Sequence, residues 1–97
     1  MQFAVIFEDE AAHAGKRREL LGEHLAYLAS HGGAVQAAGP LKARGGAAIG
    51  GLWLVEAASA EEVRRLCERD PFWPTGLRKS VQIYEWARVF ADGKTLI

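Results

Sequence analysis

The chain has 97 residues, which is enough for one domain of ordinary size and too few for two. Hydrophobic residues make up 49% of it and charged residues 25%, a balance that excludes a disordered chain. Its 12 basic and 12 acidic residues cancel, which argues against a nucleic-acid partner and favours self-association. We expect a single domain over residues 1–97, with a core at about 2–86 and a tail at 88–97.

Cys67 is the only cysteine, so no disulfide can form within the chain, and a reducing, cytoplasmic setting is expected. We interpret it as a small buried thiol rather than a nucleophile. The longest apolar runs fall well short of the ~18 residues of a membrane span, and the N-terminus lacks a basic signal region. We therefore expect neither membrane insertion nor secretion by a standard signal.

Six elements are predicted in chain order, from the spacing of apolar residues and from turn and cap signals. They are a strand at 2–8, a helix from about Lys16 to His31, a weaker strand at 34–40, a strand at 49–56, a helix from the Ser59–Glu62 capping box to about Arg69, and a strand at 80–86. The order β-α-β-β-α-β is that of a ferredoxin-like α+β fold. The tail shows no strong pattern.

Both faces of the predicted sheet are apolar. In the first strand, for example, Phe3, Val5 and Phe7 point to one face while Ala4 and Ile6 point to the other. Two helices can cover only one face, and a large uncovered apolar surface usually marks an interface. The sequence therefore predicts a homodimer whose sheets pack face to face.

Neither a metal nor a bound cofactor is indicated. His24 and His31 are seven residues apart, about 10 Å along one helix, which is too far to share one ion easily. The glycines at 45–51 precede a strand and lack the Lys-Ser/Thr of a phosphate-binding loop. We expect a cofactor-free protein with no metal site.

His24 and Asp70 form a candidate pair. His24 lies in the middle of the first long helix and Asp70 ends the second, and both helices lie on one face of the fold. Taken singly, His24 can be a hydrogen-bonded structural histidine, and Asp70 can cap the turn that begins at Pro71. Taken together, they can form a dyad in which the carboxylate orients an imidazole that moves a proton. We expect the two side chains to lie within hydrogen-bond reach.

Several short motifs, in order, resemble the YCII-related family. They are Arg17, His24-Leu25-Ala26-Tyr27-Leu28, Ala38-Gly39-Pro40-Leu41, Gly50-Gly51-Leu52 and Asp70-Pro71-Phe72, and the resemblance spans roughly residues 2 to 86. It implies a dimeric α+β barrel and identifies His24 and Asp70 with the family's catalytic pair. Known chemistry in this family and its fold relatives includes eliminations and isomerisations of aromatic-degradation intermediates.

Our interpretation is a small lyase or isomerase acting on a compact, partly apolar molecule. His24 would act as general acid or base and Asp70 would orient it. Arg17 is a candidate anion contact, and Phe72 and Trp73 are candidate pocket walls. The alternatives are a non-catalytic ligand-binding or accessory protein, in which the pair only stabilises the groove, and a purely structural dimer.

Overall fold

The computed structural model describes all 97 residues and contains one four-stranded antiparallel sheet. Its elements are β1 (Gln2–Asp9), α1 (Lys16–Glu19), α2 (Leu21–Ser30), β2 (Val35–Lys42), β3 (Ala48–Glu56), α3 (Ala60–Arg69), β4 (Arg78–Glu85), β5 (Phe90–Ala91) and β6 (Lys94–Thr95), with short 3-10 turns at Ala11–His13 and Trp73–Thr75. The sheet order is β2-β3-β1-β4. This arrangement confirms the ferredoxin-like fold predicted from the sequence.

The core lies between the sheet and the helices. Alternate residues of β1 and β3 are buried there, and α3 contributes Val63 and Cys67 from one side of its helix. The eight members of this cluster are Phe3, Val5, Phe7, Val35, Trp53, Val55, Val63 and Cys67. On the opposite face, Ile6, Leu52 and Leu54 stay partly exposed. The chain thus covers only one of the two apolar faces.

The first helical segment differs from the single helix expected at 16–31. Leu20 leaves the helical region (φ −111°, ψ 13°), which divides the segment into α1 and α2. Leu21 and Leu25 are 49% and 54% exposed, so not all of the regularly spaced apolar residues of this segment pack in the core. The serine half of the capping box is present, since the Glu62 N–H donates to Ser59 Oγ at 3.2 Å, but the Glu62 carboxylate accepts from the Ala58 N–H, at 3.1 Å, rather than from that of Ser59. The longest helices, α2 and α3, have 10 residues each, and neither could span a bilayer.

The tail also differs from expectation, because it forms a small hairpin. β5 and β6 pair around Asp92 and Gly93, which have φ values of 52° and 76°. Two successive positive φ angles are typical of the tight turn that an Asp-Gly pair favours. The residues of this turn therefore carried a hairpin signal that the hydrophobic pattern alone did not reveal.

Candidate active site

His24 and Asp70 are in direct contact. His24 Nδ1 lies 2.9 Å from Asp70 Oδ1, and the two side chains are only 9% and 2% exposed. The expected proximity of the pair is confirmed. A carboxylate at this distance accepts the Nδ1–H of a neutral imidazole and leaves Nε2 as the nitrogen with a free lone pair.

Pro71 explains why Asp70 is in this place. A residue before proline avoids the helical conformation, and Asp70 is extended (φ −64°, ψ 136°), so α3 ends at Arg69 as predicted. Asp70 Oδ1 also accepts the Phe72 N–H at 3.2 Å, which caps the turn that follows. The carboxylate thus performs the capping task and contacts the histidine at the same time.

Aromatic side chains hold the imidazole ring. Phe72 is fully buried and stacks on His24, with 4.1 Å between ring centroids and 16° between planes. Trp53 lies on another side, at 6.3 Å between centroids. Both imidazole orientation and burial are therefore set by packing as well as by Asp70.

His24 borders a cavity of about 740 Å³ that lies between the first helical segment and the edge formed by β2 and β3. Half of its 16 lining residues are hydrophobic, among them Leu21, Leu25 and Leu28 of α2. This explains the exposed leucines: they face the cavity rather than the core. Its volume falls in the range of small-molecule sites.

The candidate pocket walls Phe72 and Trp73 do not line this cavity. Phe72 lies beneath the imidazole as a platform. Trp73 packs against the core cluster, and the Arg64 guanidinium lies 5.6 Å from the centroid of its ring, so the structure does not bring Trp73 to His24. The apolar wall is instead supplied by α2 and Trp53.

Arg17, the candidate anion contact, does line the cavity and is firmly held. Its Nε donates to Asp9 Oδ2 at 2.6 Å, and its Nη2 donates to the Gly50 carbonyl at 2.6 Å. Asp9 Oδ1 in turn accepts from Arg78 Nη1 at 3.1 Å. One carboxylate thus joins two arginines at the cavity.

Sequence reasoning missed Asp9 and Arg78. Asp9 continues the inward alternation of Phe3, Val5 and Phe7, so strand parity could have found it. Arg78 could not be found in this way, because the register between β1 and β4 shifts after Glu8 and skips Lys79.

Burial shifts the pKa of two side chains near the site, Arg78 and Cys67. Burial, and after it the charge of Arg17, lowers the pKa of Arg78 below its usual value. Burial raises the pKa of the Cys67 thiol to about 12, which keeps it protonated and inert, in keeping with the buried-thiol interpretation. No three His, Cys, Asp or Glu side chains are grouped so that they could hold a metal ion.

Comparisons with known proteins bear on the family and the fold of the chain. The model of the YCII-related domain matches residues 1–87. A solved structure of 5-chloro-2-hydroxyhydroquinone dehydrochlorinase from Burkholderia phenoliruptrix, in complex with 2,5-dihydroxybenzoquinone, is 28% identical, with a TM-score of 0.80 over 90% of this chain and 94% of that one. A search of curated proteins finds no significant match.

Proposed function

Because the chain belongs to the YCII-related domain family, we propose that it is a small acid–base enzyme of lyase or isomerase type. Its substrate would be a compact organic molecule, with hydroxylated aromatic compounds as the first class to test. The observation that carries this proposal is the His24–Asp70 hydrogen bond at the wall of a cavity of about 740 Å³. The similar dehydrochlorinase, whose name describes loss of HCl from a chlorinated hydroquinone, supports the reaction type.

In this proposal His24 Nε2 moves the proton. Asp70 holds the other ring proton on Nδ1, and its negative charge stabilises the imidazolium that forms when Nε2 accepts a proton from the substrate. In an elimination, the bond to the leaving group breaks as a carbon–carbon or carbon–oxygen double bond forms, and the leaving group departs with its electron pair. The proton on Nε2 is then released or, in an isomerisation, returned to another atom of the product.

The surroundings of the imidazole suit this role. Phe72 and Trp53 fix the ring, so little ordering is needed before proton transfer. The leucines of α2 provide an apolar surface for a small ring, and Arg17 provides a cation for an oxyanion. No bound cofactor is required for a proton transfer of this kind.

We also propose that the protein functions as a homodimer. The sheet face opposite the helices presents Ile6, Leu52 and Leu54, which are partly exposed, and Tyr84, which is 55% exposed. A second copy is the simplest cover for a self-complementary apolar surface. A specific interface of this kind should bury more than ~1,000 Å² in total.

The acid–base proposal is tested with His24→Ala and Asp70→Asn in a turnover screen of hydroxylated and halogenated aromatic compounds, with chloride release and absorbance as readouts. Each variant should lose roughly 10²-fold or more in activity, and the double variant should be little worse, because the two residues act as a unit. His31→Ala, which changes a histidine outside the cavity, is the control.

The screen also separates the alternatives. A non-catalytic binding protein would bind compounds from the panel without converting them, with His24→Ala altering affinity alone. A structural pair would show a lower melting temperature in the variants and no turnover to lose. Turnover that persists unchanged in folded His24→Ala would contradict the proposal.

A further inference from the structure

The cavity beside His24 is cationic as well as apolar. Its lining includes four basic residues and no acidic residue. The basic residues are Arg17, Arg18, Lys42 and Arg78. The two nearby carboxylates are both withdrawn from its surface: the side chain of Asp9 is 4% exposed and that of Asp70 is 2% exposed. A ligand in the cavity therefore meets positive charge only.

Arg17 and Arg78 converge on one point of β3. An added Cβ on Gly51 would lie 3.2 Å from Arg78 Nη1 and 3.6 Å from Arg17 Nη2, so both guanidinium groups border this glycine. A side chain at this position would enter the space that the arginines occupy. Gly51 thus makes room for the two guanidinium groups, and both arginines also line the cavity.

The charge of Arg78 is only partly satisfied within the chain. Its side chain is 3% exposed, its Nη1 is bonded to Asp9, and its Nε has no hydrogen-bond partner. Asp9 is shared with Arg17, and Asp70 Oδ1 already accepts from His24 and Phe72. Buried cations are normally paired, so an incompletely paired arginine at a cavity indicates an anionic ligand.

The position of these cations relative to the imidazole is fixed by two phenylalanines. The Arg78 guanidinium lies 4.0 Å from the ring centroid of Phe7 and 5.2 Å from that of Phe72. Arg17 lies 5.7 Å from the Phe72 centroid, and Phe72 also stacks on His24. One aromatic ring therefore contacts both arginines and the histidine, and an anion held by the arginines would lie in the same cavity that His24 lines.

We infer that Arg78, together with Arg17, binds an acidic oxygen of the substrate and orients the molecule toward His24. The substrate class is a small organic anion that bears a carboxylate or an ionised hydroxyl group on an apolar ring. The inference rests on the proposed function for its claim that the anion is a substrate. The anion site itself stands on the cavity charges and on the unpaired donor of Arg78.

The test measures dissociation constants by NMR titration for benzoate, for 4-nitrophenolate at pH 8.5, and for the neutral benzamide. We expect the unmodified protein to bind at least one of the two anions about tenfold or more tightly than benzamide, since a charge-assisted hydrogen bond is worth at least that factor. Whichever anion is preferred identifies the acidic group as carboxylate or phenolate. Equal affinity for both anions and benzamide would overturn the inference without any variant.

Arg78→Gln should remove most of the preference for the anion and leave benzamide binding within twofold. Lys79→Gln is the matched control, because Lys79 adjoins Arg78 in the chain, is 58% exposed and does not line the cavity. His24→Ala should keep the preference for the anion. If this variant loses turnover and still binds the anion, the catalytic role of His24 and the anion-binding role of Arg78 are shown to be separate. Unchanged anion affinity in folded Arg78→Gln would contradict the role of Arg78.

Discussion

Substitution of Asp70 can separate its structural task from its chemical one. The buried carboxylate accepts two hydrogen bonds at one oxygen, from His24 Nδ1 at 2.9 Å and from the Phe72 N–H at 3.2 Å. Alanine removes the acceptor and leaves both donors buried without a partner. Asparagine keeps an oxygen in the same place and removes only the charge.

The magnitudes follow from these two contacts. An unsatisfied buried donor costs about 1–3 kcal/mol, so Asp70→Ala should lose about 2–6 kcal/mol of unfolding free energy. Asp70→Asn, which keeps both bonds in weaker, uncharged form, should lose about 1 kcal/mol. In a domain of this size each kcal/mol shifts the melting temperature by about 4–8 °C. We therefore expect a fall of at least about 8 °C for alanine and of about 4–8 °C for asparagine.

Activity should follow a different order. Asp70→Asn should already lose roughly 10²-fold in turnover, because a neutral amide does not stabilise the imidazolium as a carboxylate does. Thermal unfolding by circular dichroism and the turnover assay, applied to both variants, give the comparison, and Glu68→Gln on the exposed side of α3 is the control. Full activity in Asp70→Asn together with a stability loss equal to that of Asp70→Ala would refute the reasoning.

Three further predictions concern packing, pH and assembly. Gly50→Ala should lower the unfolding free energy by about 3 kcal/mol or more in urea melts, because its Cβ would meet the Phe7 carbonyl oxygen at 2.0 Å. The control is Gly22→Ala, at a helix position where an added Cβ has nothing within 4 Å. It should instead raise the unfolding free energy by about 0.5–1 kcal/mol. Between pH 9 and about 12 the Cys67 thiol ionises in the unfolded chain but not in the folded one, so stability should fall with rising pH, by up to about 1.4 kcal/mol per unit. Urea melts of Cys67→Ala should show a shallower slope, with the remainder due in part to Tyr27, whose pKa burial also raises, and an identical slope would contradict the assignment. Light scattering should give about twice the 10.6 kDa mass of one chain. Leu54→Glu, which places a charge on the uncovered sheet face, should give the mass of a monomer. A monomeric wild-type protein at micromolar concentration would refute the homodimer.

The contact between His24 and Asp70 was predictable because topology alone places both helices on one face of the sheet. Pro71 then fixes the end of α3, so the position of Asp70 follows from a local rule. The sequence could not show which of Phe72 and Trp73 lies next to His24. Adjacent residues in a turn point in different directions, and only the fold shows that Phe72 lies under the imidazole while Trp73 faces Arg64.

Other features depended on details that periodicity does not encode. The bulge that skips Lys79 turns Arg78 toward Asp9, whereas strict strand alternation would have placed Lys79 there. Leu21 and Leu25 fit a helix-core pattern, yet they line a cavity, because apolar spacing cannot distinguish a core from a binding surface.

The central claim is that Asp70 keeps the His24 proton on Nδ1 and leaves Nε2 free to move a proton of the substrate. Nitrogen-15 NMR of the labelled histidines, in the neutral form of the imidazole, measures this directly, with Asp70→Asn used to assign the resonance. We predict that His24 is the Nδ1–H tautomer and that its Nε2 resonance shifts when the more tightly bound of benzoate and 4-nitrophenolate is added. A His24 that carries its proton on Nε2, with an Nε2 resonance unaffected by the bound anion, would contradict the account.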